Sequence, residues 1–221
     1  MTQIIILCGG KGSRMRNLSA YPKPLVKIGG VPILKYLIDF FYKNKHKKII
    51  LATGYKSKKV EYFVERNFKN KITISDSGNV DILDRLKKIS PLIMGDFLIC
   101  YGDTLANINL KKLTNKAKQN KKLITVTLAK LNIDFGIAEL KNDRVSKFIE
   151  RPVLNNKNIG FFYCKKDLIK HFTKSKNWVG FLKKMANNGN MGFYVHKNNE
   201  LTVNTPSELV VAKEKIKTLY K

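Results

Sequence analysis

The chain has 221 residues, 43% of them hydrophobic, with 43 lysines and arginines against 16 aspartates and glutamates, a formal net charge of +27. That length suits one α/β domain with a sizeable core, and no apolar stretch approaches the roughly 18 residues of a membrane span, so no membrane partner is expected. Only six basic residues are arginines and the 37 lysines run through the whole length, so the charge reads as a solvated surface that attracts anionic nucleotides, with no nucleic acid expected as partner.

The first predicted element is a strand at Gln3–Leu7, apolar enough to be buried on both faces. It begins too early for a basic segment and a cleavable apolar region to precede it, and the expected location is the cytoplasm. A helix is expected from Pro32 to Tyr42, with proline in its first turn and Ile33, Leu37, Phe40 and Phe41 on one face. Strands at Lys48–Thr53 and Lys71–Ser75 enclose a helix from Ser57 to Asn67, the rhythm of a parallel sheet. Phe97–Cys100 reads as another buried strand, Asn109 can cap a helix through Gln119, and Leu123–Leu128 returns as a strand. Beyond Asn132, short strands at Phe135–Leu140, Val145–Glu150 and Ile159–Cys164 lie close together in sequence, as antiparallel hairpins would. Helices near Lys166–Phe172 and Trp178–Asn188 and two short strands follow. Thr205, Pro206 and Glu208 then form a capping box with proline at the first helical position.

No repeat, linker or low-complexity stretch divides the chain, so the expected fold is a single α/β domain: a Rossmann-like, mixed and mostly parallel sheet flanked by helices, with a small antiparallel lobe. Cys8, Cys100 and Cys164 are isolated in or beside apolar runs and read as small buried hydrophobes. His46, His171 and His196 are equally isolated, and structural or surface roles are expected of them.

Chemistry concentrates where the first strand ends. Gly9, Gly10 and Gly12 let backbone N–H groups approach a phosphate, and Lys11 and Arg14 add positive charge beside it. The spacing is neither that of a Walker A loop nor the G-x-G-x-x-G of a dinucleotide fingerprint, and a plain strand-to-helix turn would also use glycines. Further on, Pro22 and Pro24 restrict the backbone around Lys23 and would hold its ammonium in one place. Asp103 follows the buried strand at Phe97–Cys100, where it is either a metal ligand or a turn former.

Taken together, "GGKGSRM" and "PKPL" resemble the signature of the sugar-1-phosphate nucleotidyltransferases, at Gly9, Gly10, Gly12, Ser13, Arg14, Met15, Pro22, Lys23, Pro24 and Leu25. The resemblance implies a GT-A-like nucleotidyltransferase fold, with a nucleotide-binding half at about 1–130 and an acceptor-binding half at about 131–221. It implies transfer of a nucleotidyl group to a phosphorylated small acceptor with release of pyrophosphate. Arg14 and Lys23 would be the catalytic cations, and Mg²⁺ would sit on Asp103 of the Gly102–Asp103 pair. Leu7, Cys8, Gly9, Gly10, Lys11, Gly12, Ser13 and Tyr101 would surround the nucleotide. Where the family carries a second metal-binding aspartate this chain has Asn204, an oxygen donor without charge.

Other stretches are similar to the glucose-1-phosphate cytidylyltransferase branch: Ile28–Leu34, Gly54-Tyr55-Lys56, Glu61–Phe63, Asp76 and Gly78, and Arg85–Lys88. They make CTP the expected nucleotide and add Gly54, Tyr55, Lys56, Asp76, Gly78 and Arg85 to its contacts. The P-x-G-T-A-x-A-L segment of the uridylyl and thymidylyl branches is missing. In the acceptor half the resemblance assigns Gly136, Glu150, Arg151, Asn158 and Gly160, with arginine where the family has lysine. Near Trp178 the family's acid for sugar hydroxyls is replaced by Val179 and Gly180. A sugar 1-phosphate is the expected acceptor and the product an activated precursor for cell-surface polysaccharide. A polyol phosphate, phosphocholine, a guanylyl- or uridylyltransferase, a nucleotide-binding protein with weak catalysis and a homo-oligomer stay open.

Overall fold

The computed structural model describes residues 2–12, 21–68 and 72–220, with the side chains of Asn155 and Asn156 left aside. Strand β1 (Gln3–Leu7) enters the core at once. A 3-10 turn (Lys23–Leu25) and the hairpin of β2 (Lys27–Ile28) and β3 (Val31–Pro32) lead to α1 (Ile33–Lys43). The alternation continues through β4 (Ile49–Thr53), α2 (Ser57–Asn67), β5 (Thr73–Asp76), α3 (Ile82–Ile89) and β6 (Phe97–Tyr101). After β7 (Thr104–Ala106) come α4 (Leu110–Asn120), β8 (Ile124–Asn132), β9 (Ile137–Lys141), β10 (Arg144–Ile149) and β11 (Val153–Cys164). A 3-10 helix (Lys166–Lys174), α5 (Trp178–Asn187), β12 (Met191–Val195), β13 (Glu200–Thr202) and α6 (Pro206–Leu219) complete the described chain.

Seven strands form the central sheet in the order β12-β8-β11-β6-β1-β4-β5. β1 pairs in parallel with both β4 and β6, and β4 with β5, while β11 runs antiparallel between β6 and β8. The period of two in each strand builds two cores. Ile4 and Ile6 of β1 face the helices α1, α2, α4 and α6. Ile5 faces α3, α5 and the 3-10 helix at Lys166–Lys174. The result is a mixed, mostly parallel sheet between two helical layers, as the sequence pattern predicts.

Two expectations need correction. The strand read at Ile159–Cys164 is the end of a twelve-residue strand in the main sheet, not part of an antiparallel lobe. Its residues bury alternately on both faces, Phe161 and Tyr163 in one core and Phe162 and Cys164 in the other. That burial suits a central position, and β11 fills the gap that the β6-to-β8 crossover leaves. The lobe is therefore β9 and β10 alone. The segment read as a helix near Lys166–Phe172 winds as a 3-10 helix, with Leu168 and Phe172 buried.

Because the chain leaving β1 leads outward to β4 and β5 while β6 lies on its other side, the crevice falls outside the carboxyl ends of β1 and β6, which stay paired. Open α/β sheets bind ligands at such a switch point.

Candidate active site

A cavity of about 330 Å³ opens in that crevice, lined by Leu7, Cys8, Gly9, Gly10, Lys23, Pro24, Val80, Asp81, Ile82, Arg85, Tyr101, Gly102 and Asp103. The loop after β1 is stitched to both neighbours: Cys8 N–H donates to Ala52 O at 2.9 Å and Gly102 N–H to Leu7 O at 3.1 Å. A Cβ on Gly102 would lie 2.6 Å from Leu7 O, so only glycine lets β6 approach so closely.

Behind the glycines stands Arg85, 3% exposed. Its guanidinium donates to three carbonyls: Thr53 O at 2.5 Å, Gly9 O at 3.0 Å and Val80 O at 2.9 Å. Burial holds its pKa below the ordinary guanidinium value, and Asp76 and Asp81 pull it back up. The sequence reading gives Arg85 a nucleotide contact. In the structure Arg85 lines the cavity while three of its five N–H donors serve backbone carbonyls, so it braces the loop from beneath. Gly9 and Gly54 make room for it, since a Cβ on either would lie 2.1 to 2.2 Å from Arg85 Nη1. Asp76 Oδ1 accepts from Gly78 N–H at 2.9 Å, which turns the chain after β5 toward Gly54. Lys56 adopts a left-handed conformation at the start of α2, with its ammonium 5.0 Å from the Tyr55 ring centroid.

Lys23 occupies the mouth. Pro22 and Pro24 set its 3-10 turn, closed by Leu25 N–H to Pro22 O at 2.8 Å. A Cβ on Gly12 would meet the Lys23 side chain at 3.3 Å. The ammonium donates to Asp103 Oδ2 at 2.6 Å and to Asn204 Oδ1 at 2.6 Å. Those two residues meet because β7 pairs with β13, and Val203 N–H donates to Asp103 O at 3.0 Å. The capping box of α6 then fixes Asn204, whose N–H donates to Glu208 Oε2 at 2.5 Å.

Two hard oxygens thus converge on one cation position, which is the donor chemistry that Mg²⁺ takes. Here the Lys23 ammonium takes that position; with the ammonium turned to a phosphate oxygen, Asp103 and Asn204 would hold the metal, and solvent and phosphate oxygens would complete it. Among the described residues no group of three or more His, Cys, Asp or Glu could hold a metal alone. The residues fit a metal that arrives with its anionic ligand.

On the far side, Tyr101 is held in place by two partners. Its hydroxyl accepts from Trp178 Nε1 at 2.7 Å, and Gly160, at φ +75°, leaves its ring room that a Cβ would close to 2.5 Å. Burial raises the Tyr101 pKa above the ordinary phenol value, so the ring stays neutral. Asn158 Oδ1 accepts from Gly160 N–H at 2.9 Å, which shapes the turn that carries this glycine. Gly136, Glu150 and Arg151 lie around the β9–β10 lobe and do not line the cavity. Arg151 Nε stands 3.8 Å from Glu150 Oε1 and both side chains are exposed. Ser13 and Arg14 lie outside the described residues. Lys11, exposed within the same loop, does not line the cavity.

Asp81 escapes the sequence reading. Its Oδ1 accepts from Leu83 N–H at 2.8 Å, capping α3, and from Trp178 N–H at 2.8 Å. An aspartate two residues before Leu83 in a short apolar-periodic run is the signal that could have found it.

A nucleotidyl transferase family model matches residues 3–209. The chain belongs to the nucleotidyl transferase family. A Bacillus subtilis protein named "Probable glucose-1-phosphate cytidylyltransferase" is 32% identical over 221 residues, 87% of either chain. The D-glycero-alpha-D-manno-heptose 1-phosphate guanylyltransferase of Campylobacter jejuni is 28% identical, over 77% of this chain and 79% of the relative. Among solved structures, HddC from Yersinia pseudotuberculosis complexed with GMP-PN superposes with a TM-score of 0.79 at 22% identity, over 98% of this chain and 100% of that one. That likeness shows the shared fold. In this nucleotidyl transferase the fold places the glycine loop, Lys23 and Asp103 around one crevice, and no helix among the described residues is long and apolar enough to cross a membrane.

Proposed function

We propose that this nucleotidyl transferase moves CMP from CTP to a sugar 1-phosphate and releases pyrophosphate. The observation that carries the reading is the Lys23 ammonium, held by Asp103 and Asn204 at the mouth of a glycine-lined crevice. A phosphate oxygen of the acceptor attacks the α-phosphorus of the triphosphate, its bond to the bridging oxygen breaks, and pyrophosphate leaves with the negative charge. Both reactants are anions, so the barrier falls when cations are already in position. Lys23 supplies one such charge on a stem confined between two prolines, and Arg14 supplies a second. Mg²⁺ bound by Asp103 and Asn204 in place of that ammonium would release Lys23 to a phosphate oxygen and neutralise phosphate charge. Peptide N–H groups at Gly9 and Gly10 orient the phosphates, and Arg85 keeps that loop from shifting by binding the Gly9 carbonyl. The acceptor enters beside Tyr101 and Gly160.

The choice of cytidine is supported by the motifs shared with the cytidylyltransferase branch and by the Bacillus subtilis relative. A guanylyl reading has its own support in the Campylobacter jejuni relative. Pyrophosphate release with Mg²⁺, each of four ribonucleoside triphosphates and a panel of sugar 1-phosphates separates them. Turnover with CTP well above that with GTP is expected. Equal or greater turnover with GTP overturns the cytidylyl assignment, and no release with any pair overturns the activity.

A further inference from the structure

Strands β9 and β10 form a two-stranded sheet that, among the described residues, pairs with no other strand. Their register sets Leu140 opposite Val145 and Ala138 opposite Phe148. Directly opposed residues share a face, and so do residues two apart along a strand. One face of the hairpin is therefore Ala138, Leu140, Val145 and Phe148, entirely apolar. It is also open to solvent, with Leu140 78%, Val145 58% and Phe148 64% exposed. A contiguous apolar patch of this kind marks an interaction surface.

Charge indicates what covers it. Residues 133–151 hold four basic side chains (Lys141, Arg144, Lys147, Arg151) and four acidic ones (Asp134, Glu139, Asp143, Glu150), so the segment is neutral. The whole +27 of the chain lies outside it. An acidic partner or a nucleic acid would be drawn to the rest of the surface. A second copy is repelled by the rest of the surface, and the repulsion is least where this neutral segment is the part in contact. A two-fold axis also lets the hairpin's acids face its own bases. We propose that the apolar face of the β9–β10 hairpin is a homodimer interface, in which Leu140, Val145 and Phe148 of each protomer pack on the same residues of the other. The interface adjoins the loop into the lobe: a Cβ on Gly136 would lie 2.5 Å from the Phe148 ring.

Sedimentation velocity on the purified chain tests this. The expected species has twice the 25.3 kDa of one chain. Its share should grow as NaCl rises to about 0.5 M, because salt screens the repulsion between the remaining surfaces. Leu140→Glu and Phe148→Ser should each give a monomer with unchanged far-UV circular dichroism, since both side chains are exposed. Val210→Glu, at a 57% exposed apolar position on α6, should leave the dimer intact. A wild-type monomer at every concentration and salt overturns the proposal. So does a dimer that survives both hairpin substitutions, one lost in Val210→Glu, or one that weakens as salt rises.

Discussion

Replacing Arg85 with methionine fills much the same buried space and removes the donor that joins three backbone segments. In the native chain the guanidinium serves the carbonyls of Thr53 at 2.5 Å, Gly9 at 3.0 Å and Val80 at 2.9 Å. Hydrogen bonds from a charged donor are worth about 1.5–3 kcal/mol each. Three give a gross gain of roughly 5–9 kcal/mol, and burying the guanidinium offsets several kcal/mol of it. Methionine also removes that burial cost, but it leaves three carbonyls facing a side chain with no donor. At about 1 kcal/mol each after local relaxation, the expected loss of stability is about 3 kcal/mol. For a domain of this size that lowers the melting temperature by about 6–12 °C. Urea titration should show the lower midpoint with an unchanged slope. Because the Gly9 carbonyl loses its anchor, isothermal titration with a nonhydrolysable triphosphate should show at least tenfold weaker binding. Arg85→Lys, which keeps a charge but cannot fork to three acceptors, should fall between. A methionine variant that melts within about 2 °C of wild type would refute the bracing role.

Lys23→Met should reduce pyrophosphate release about 10²–10³-fold, the usual loss for one pre-placed electrostatic group, with little change in melting. Native turnover in that variant would remove Lys23 from the chemistry. Asn204→Asp adds a second carboxylate beside Asp103, and Mg²⁺ titration with bound triphosphate should show several-fold tighter metal binding. An unchanged metal affinity would separate position 204 from the metal. His196 is buried, with Nε2 3.3 Å from Asn199 O and Glu200 nearby, and burial holds its imidazole below the ordinary pKa of 6.5. The unfolded chain takes up that proton as pH falls through about 6.5 and the folded chain does so only lower. The residue's contribution is thus complete above that value and declines below it, down to the folded pKa. His196→Gln should flatten the fall in urea-measured stability between about pH 7.5 and about pH 5.5. An identical slope in wild type and variant would dismiss the effect.

What was legible in the sequence follows from how local each signal is. Helix α2 runs from Ser57 to Asn67, and the Thr205–Glu208 capping box is formed, because helix ends are decided by neighbouring residues. β1 and β6 announce themselves as apolar runs that only a central position can satisfy. The place of β11 is not legible locally, because the partner of a strand depends on the gap left by crossovers and a run of short strands reads equally well as hairpins. Helix α3 is hard to read because Arg85, in its middle, makes the run look half polar, and its burial is explained by the nearby Val80 carbonyl and the two distant ones of Gly9 and Thr53. The candidate site divides in the same way. Glycines and prolines around Lys23 carry their conformational meaning locally, whereas the meeting of Asp103 with Asn204 rests on the β7–β13 pairing, for which spacing gives no sign.

That pairing also orders events at the ribosome. By the time Val195 has emerged, all seven strands of the central sheet have been synthesised, and folding can begin there. Yet the oxygen opposite Asp103 belongs to a residue made later, seated by the helix that follows it. A nascent chain that has made its whole central sheet therefore still lacks the Asn204 oxygen that meets Lys23, and that oxygen arrives with β13 and α6.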